Sequence, residues 1–160
     1  RLPQNDDINT DYIISGRYKF KIQDPAELAK HVMEDLDPNF YSKIKKGDFI
    51  VAGSNFGCGS SREQAPMAIK YAGISAVLAK SFARIFYRNC FNLGIPAIEC
   101  DTDKILEGDE LEVDMDGGVI RNKTKNISIK IGTVPKVMQT LLADGGLVEH
   151  FKKYKGFKLA

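Results

Sequence analysis

The residues best suited to chemistry are Asn55-Phe56-Gly57-Cys58-Gly59-Ser60-Ser61-Arg62-Glu63. They follow an apolar run, residues 48–52, that reads as a buried strand, and a helical pattern begins soon after them. Gly57 and Gly59 allow a sharp turn or close backbone approach to a ligand. Ser60, Ser61, Arg62 and Glu63 then stand at the mouth of a helix. Unpaired N–H groups there, together with the helix dipole, favour an anion. A guanidinium beside them can grip a carboxylate with two parallel hydrogen bonds. The chemistry implied is recognition of a small carboxylic acid with a serine hydroxyl inside the site. A plainer reading makes Gly57 to Gly59 a tight turn, the serines caps and Arg62 a solvated residue. The combination of residue types in one short segment favours the site.

Other motif readings fail on detail. No lysine follows Gly59 as a P-loop requires, and Arg62 stands where a dinucleotide fingerprint needs its third glycine. The G-x-S-x-G elbow of hydrolases is absent. Cys58 with His31 or His150 as base would be a thiol nucleophile, but neither histidine sits in a recognisable signature.

The elements that must position this segment read as follows. A loop over residues 6–11 leads to a short extended piece, Tyr12 to Ile14, and a loop covers 16–23. Asp24 caps a helix with Pro25 in its first position and Leu28, Val32 and Leu36 as its apolar stripe, ended by Pro38. Residues 49–53, 74–79 and 95–98 read as buried strands. Between the first two lies a helix ending at Gly73. Pro66 places its regular start near Ala65, after a capping-box-like turn at 60–63, or else distorts its first turn. Ser81 caps the next helix, which Gly94 stops. This alternation predicts a parallel α/β core. Strands over 106–115, 119–121 and 127–131 follow, with a turn at Asp116-Gly117-Gly118. Thr133 caps a helix ended by Gly145-Gly146, and a short helix spans 147–155. The architecture expected is α/β and layered, with a parallel central sheet, a smaller β layer and flanking helices.

Bulk properties narrow the class. A chain of 160 residues, 43% hydrophobic and 28% charged, is the size of one domain, 1–160. Its net charge of +2 argues against nucleic acid as a partner. No long apolar span suggests a membrane. Starting at Arg1 rather than Met points to a preceding strand removed by processing or truncation. Three cysteines, Cys58, Cys90 and Cys100, without a framework suggest a reducing compartment: the cytoplasm, or an organelle in a plant-type source. They form no C-x-x-C, so no metal site is expected in this chain.

Three segments together resemble one family. Gly57-x-Gly59-Ser60-Ser61-Arg62-Glu63 is similar to the G-x-G-S-S-R-E signature of the aconitase swivelling domain. Asp7-Ile8-Asn9-Thr10-Asp11 resembles its D-x-[DN]-T-D segment. Residues 80–89 resemble its S-F-A-x-I-F-x-x-N helix. Length and motif order resemble stand-alone small subunits of the 3-isopropylmalate dehydratase family and its homoaconitase-type relatives, across essentially the whole chain.

The resemblance implies a hydro-lyase that isomerises 2-isopropylmalate and 3-isopropylmalate by dehydration and rehydration in leucine biosynthesis. It implies Ser60 as the base, acting as an alkoxide, and Arg62 as the holder of a substrate carboxylate. Ser61 and the Gly57–Gly59 backbone would position both, and Asp11 would orient an arginine or a substrate hydroxyl. Thr10 belongs to the same matching loop, where a cap or loop role is equally open. The resemblance places a [4Fe–4S] cluster on a separate large subunit, in a heterodimer or heterotetramer. The isolated small chain could then self-associate through the surface meant for its partner. Cys58 reads as a small residue beside the substrate, and Cys90 and Cys100 as core.

The loop Arg17-Tyr18-Lys19-Phe20-Lys21 aligns with the family's substrate-reading segment. Phe20 stands where homoaconitase-type members tend to carry arginine and isopropylmalate-type members an apolar residue. An apolar ring favours an alkyl group and leaves an extra carboxylate unpaired. Lys19, where the family usually has leucine, and Lys21 keep tricarboxylate and methylmalate-type substrates open. A carboxylate-binding domain without catalysis is the alternative from a different class.

Overall fold

The computed structural model describes residues 5–18 and 20–154. Three short parallel strands, β1 (Phe49–Val51), β2 (Ala76–Ala79) and β3 (Ala97–Glu99), pair in that order. Phe49 lies opposite Ala76, and Val77 opposite Ala97. Helices α4 (Gln64–Tyr71) and α5 (Arg84–Asn92) make the two crossovers. A second sheet is antiparallel: β4 (Leu111–Asp114), β5 (Val119–Asn122) and β6 (Ile127–Lys130). Earlier come α1 (Thr10–Ile13), α2 (Pro25–Ala29) and α3 (Phe40–Lys43), and α6 (Lys136–Asp144) and α7 (Leu147–Tyr154) close the order.

All four residues of β2 are buried because both its faces are covered. Val77 and Ala79 join the core beneath the helices, with Ile13, Leu28, Ile69 and Phe91. Ala76 and Leu78 face the other way, toward Ile120, Ile129 and Ile131 of the antiparallel layer. Helices, parallel sheet and antiparallel sheet therefore form the layered α/β arrangement expected. A Cys100–Ile131 bridge and the bond from Gly132 N to Glu99 O, 2.8 Å, join the two sheets.

Several local expectations need correction. Residues 12–14 are not an extended piece: Asn9 caps a helical turn by accepting from Tyr12 N. The helix capped by Asp24 is regular only to Ala29, because Met33 takes a left-handed φ of 55° and folds residues 30–37 into successive turns. Ser81 does not cap α5; its Oγ accepts from Asn55 N at 2.8 Å, and the cap position is Ala83. Thr133 does not cap α6, whose cap position is Pro135. Residues 106–110 precede β4 rather than belonging to it.

At the end of α6, Asp144 is 5% exposed and accepts from His150 Nδ1 at 2.7 Å and from Lys153 Nζ at 3.0 Å. These bonds, His150 first, hold its carboxyl below the usual carboxylate range. Its contribution to stability is fully present above the unfolded pKa of about 4 and is lost as pH falls through the lower folded value. Asp144→Asn is therefore expected to lower the melting temperature at neutral pH and to make the acid-side decline shallower. Parallel melting curves for parent and variant across the acid range would refute this.

Candidate functional site

The segment after β1 lies at the carboxyl ends of the parallel strands, where α/β sheets place their ligands. It is stitched on both sides. Toward the chain start, Asp7 N donates to Ser54 O (2.9 Å), Gly57 N to Ile8 O (2.7 Å) and Thr10 N to Cys58 O (2.9 Å). Toward the entry of α5, Phe56 N donates to Ser81 O (3.0 Å) and Ala83 N to Phe56 O (2.9 Å). Asn55 turns the chain at φ 59°, and its Nδ2 donates to Asp7 at 2.9 Å. Phe56 is fully buried, edge-on to Phe82 and Phe86. The three motif segments thus meet at one place.

Gly57 and Gly59 serve different ends. Gly57 is buried at φ +83°, and a Cβ there would lie 2.1 Å from Phe86 Cγ. Its N–H is given to Ile8 and its lack of a side chain is required by packing against Phe86. Gly59 is exposed at φ +93°, and a Cβ there meets only ordinary contacts with Asn9 and Thr10. Thr10 is 2% exposed and its hydroxyl donates to Ser60 O at 2.8 Å. It anchors the loop from the 7–11 segment through this bond.

From Gly59 the backbone opens. Among the described residues, no backbone N–H from Gly59 through Gln64 donates a hydrogen bond. Helix α4 starts with Glu63 at its cap position and no side-chain cap, so the expected capping box is absent. Pro66 is the third helical residue, where its missing N–H costs no helical bond. Ser60 and Ser61 are exposed. The result is a row of unspent N–H groups at the positive end of α4, beside two free-standing hydroxyls.

Arg62 is held in place rather than solvated. Its side chain is 14% exposed, pairs through Nη1 with Asp11 Oδ1 and donates to Ile14 O at 3.2 Å. Among the described residues, Nη2 and Nε have no acceptor and stay available for a carboxylate. Asp11 is 62% exposed, so the pair adds little stability and mainly fixes the guanidinium. Gly16 lies against Arg62, with its Cβ position 3.5 Å from Nη2. Asn9 lies in the matching 7–11 segment without a role of its own and Gly16 in none of the matching segments; the fold brings both to the site.

The two flanks of the 17–21 loop also reach the site. It begins at Gly16 against Arg62 and returns at Ile22 and Gln23, which share a hollow of about 220 Å³ with Glu63, Gln64 and Met67. Phe20 is 83% exposed, Lys21 is exposed and Tyr18 half-buried; Lys19 lies outside the described residues. A larger hollow of about 600 Å³ borders β1 between Phe40 and Leu106, and neither Ser60 nor Arg62 lines it.

The cysteines offer no ligand set for an iron–sulfur cluster. Burial pushes the Cys90 thiol well above its ordinary value, and burial then the Asp101 charge push Cys100 up to about 12. Cys58 is also raised, by burial first and then by Asp7, so it is neither a ready nucleophile nor a ready ligand. Among the described residues, no three His, Cys, Asp or Glu gather as a metal site. His150 is spent on Asp144, and His31 bonds Glu34 at 2.7 Å. No helix of the described residues is long and apolar enough to cross a membrane.

Known proteins resemble this chain in both sequence and fold. The Aconitase C-terminal domain family matches residues 8–103. "3-isopropylmalate dehydratase small subunit 2" of Archaeoglobus fulgidus is 57% identical over 154 residues, spanning 96% of this chain and 93% of the relative. The 3-isopropylmalate dehydratase small subunit of Wolinella succinogenes is 58% identical over 92% of this chain and 88% of its own length. A crystal structure of 3-isopropylmalate dehydratase from Methanocaldococcus jannaschii superposes with a TM-score of 0.90 at 55% identity, covering 94% of this chain and 89% of that one. With the family matched over residues 8–103, identities of 55–58% across nearly the whole chain and the same fold, this chain belongs to the Aconitase C-terminal domain family, among the small subunits of 3-isopropylmalate dehydratase.

Proposed function

We propose that this chain supplies the carboxylate clamp and the proton-transferring hydroxyl of a two-subunit hydro-lyase. The enzyme interconverts 2-isopropylmalate and 3-isopropylmalate through the dehydrated intermediate isopropylmaleate, a step of leucine biosynthesis. One observation carries this reading: unspent N–H groups from Gly59 through Gln64 stand beside a guanidinium fixed by Asp11. That arrangement suits a carboxylate, and exposed Ser60 and Ser61 stand next to it.

Proton removal next to a carboxylate needs a base, and a serine hydroxyl is a very poor one in water. Ser60 becomes useful when its oxyanion is met by N–H groups and Arg62 and when water is expelled. In this chain Ser60 is open to solvent, so a covering surface must come from elsewhere. We assign that surface to the large subunit, which would also carry the [4Fe–4S] cluster as the Lewis acid for the hydroxyl group. The chain alone is expected to show no dehydratase activity and to regain isopropylmaleate hydration when mixed with its large subunit. Turnover by the rigorously purified single chain would sink the two-subunit reading.

Phe20 bears on the substrate's side group. Its exposed ring can contact the isopropyl methyls, worth about 1–3 kcal/mol per group that fits. Phe20→Arg is expected to weaken the handling of isopropylmalate and improve that of a homologous tricarboxylate, moving their specificity constants in opposite directions. An unchanged ratio in the assembled enzyme would shift attention to Lys19, Lys21 or the partner.

A further inference from the structure

The 17–21 loop is fastened by a cluster that lies outside the signature motifs. The rings of Tyr18 and His31 stack with centroids 3.9 Å apart and planes 19° apart. His31 Nδ1 is 2.7 Å from Glu34 Oε2, which fixes the imidazole against the Tyr18 ring. The Glu34 carboxylate therefore holds the ring on which Tyr18 stacks. Beside it, Arg17 Nη2 donates to Asp35 at 2.8 Å, and the guanidinium lies 5.4 Å from the centre of the Tyr18 ring. The Tyr18 phenol is pushed above its ordinary value by burial and then by Glu34, so it stays a donor at neutral pH.

The partner segment is itself tied to the carboxylate clamp. Met33, fully buried, donates from its backbone to Ile13 O at 2.9 Å. The next carbonyl, Ile14 O, accepts from Arg62. Residues 31–35 and the Arg62 guanidinium thus hang from adjacent peptide units. Tyr18 closes the loop on itself, donating to Ser15 O and accepting from Ile22 N, each at 3.1 Å.

We propose that His31 and Glu34 are positioning residues, clamping the ring on which Tyr18 stacks so that the Tyr18 backbone, tied to Ser15 and Ile22, is fixed relative to Arg62 and Phe20 is presented to the substrate's alkyl group. The substrate role rests on the function proposed above; the clamp itself does not. An exposed loop left free would lose its conformational entropy on each binding event, whereas a pre-ordered loop has already lost it. His31 and Glu34 are 31% and 33% exposed, so their truncation removes loop contacts without opening the core.

Trypsin tests the clamp without any catalysis, because Arg17, Lys19 and Lys21 are cleavage sites within the loop. In the isolated chain, Glu34→Ala and His31→Ala are expected to speed cleavage there by roughly tenfold, as local opening becomes more frequent. Glu34→Gln keeps a side-chain oxygen for His31 Nδ1 and is expected to stay near the parent rate. Cleavage at the parent rate in both alanine variants would overturn the clamp, whatever the substrate is. In the assembled enzyme, Glu34→Ala is expected to raise KM for isopropylmalate several-fold with kcat largely kept, and Glu34→Gln to restore it. Faster cleavage with unchanged KM and substrate preference would overturn the positioning role while leaving the fastening intact. If the assembled parent enzyme handled none of the candidate acids, the proposed function would fail, and the cleavage result would still decide the clamp.

Discussion

Ser60→Ala in the assembled enzyme is expected to cut turnover by about a hundredfold or more while substrate binding survives, the scale set by losing a positioned proton-transfer group. The change deletes one exposed oxygen. Thr10 holds the backbone carbonyl of Ser60 rather than its hydroxyl, so the loop keeps its shape. The N–H groups from Gly59 onward and the Asp11-fixed Arg62 are also untouched. Stability should move by less than about 0.5 kcal/mol, as for other exposed substitutions. Equilibrium binding and single-turnover rates, measured side by side, separate the two roles. Binding and turnover falling together would make Ser60 a binding residue and remove its assignment as base.

Gly57→Ala is expected to be the most damaging small change in the loop, costing about 3 kcal/mol or more. Two penalties add. The backbone sits at φ +83°, and the new Cβ would be placed 2.1 Å from Phe86 Cγ. Gly108 supplies the control, with φ +88° and nothing within 4 Å of its Cβ position. Gly108→Ala should therefore show the backbone penalty alone, about 1–2 kcal/mol. Urea unfolding of the two variants and the parent measures the difference. Equal losses would mean that the Phe86 ring moves aside freely and that packing does not explain Gly57.

The parallel core was legible because buried strands on both faces leave continuous apolar runs, as in residues 74–79, and the glycines after each helix mark its end. The meeting of the three motif segments was implied by resemblance, and their backbone bonds are visible only in the fold. Caps were read less well. Ser81 and Thr133 have the right chemistry for capping, but Ser81 is recruited by Asn55, far away in sequence, and Pro135 takes the cap position after Thr133. The apolar spacing after Pro25 continues through Val32 to Leu36 and so predicts too long a helix, whereas Met33 turns left-handed to reach Ile13 O. Arg62 was legible as a clamp by type, and Asp11 as its possible partner. The different uses of Gly57, Gly59 and Thr10 were not, since residue type does not say where an N–H or hydroxyl is spent. The Tyr18–His31–Glu34 cluster left no pattern, because its stacking depends on a turn that only tertiary contact imposes.

The stitching of the signature loop has a consequence for how the protein is made. The loop's holding bonds are almost all long-range: Ser54 to Asp6 and Arg62 to Ile14 span 48 residues, Thr10 to Ser60 spans 50, and Asn55 to Ser81 spans 26. Each closure costs chain entropy before any of these bonds can form. Local turns such as residues 116–118 can form early, but the carboxylate cradle cannot nucleate by itself. On a ribosome, Asn9, Asp11 and Ser60 can all have emerged while the cradle is still absent, because it waits for residues 81–83 to arrive and close the far side. Competence to receive a substrate is thus acquired late, no earlier than the docking of β2 beside β1.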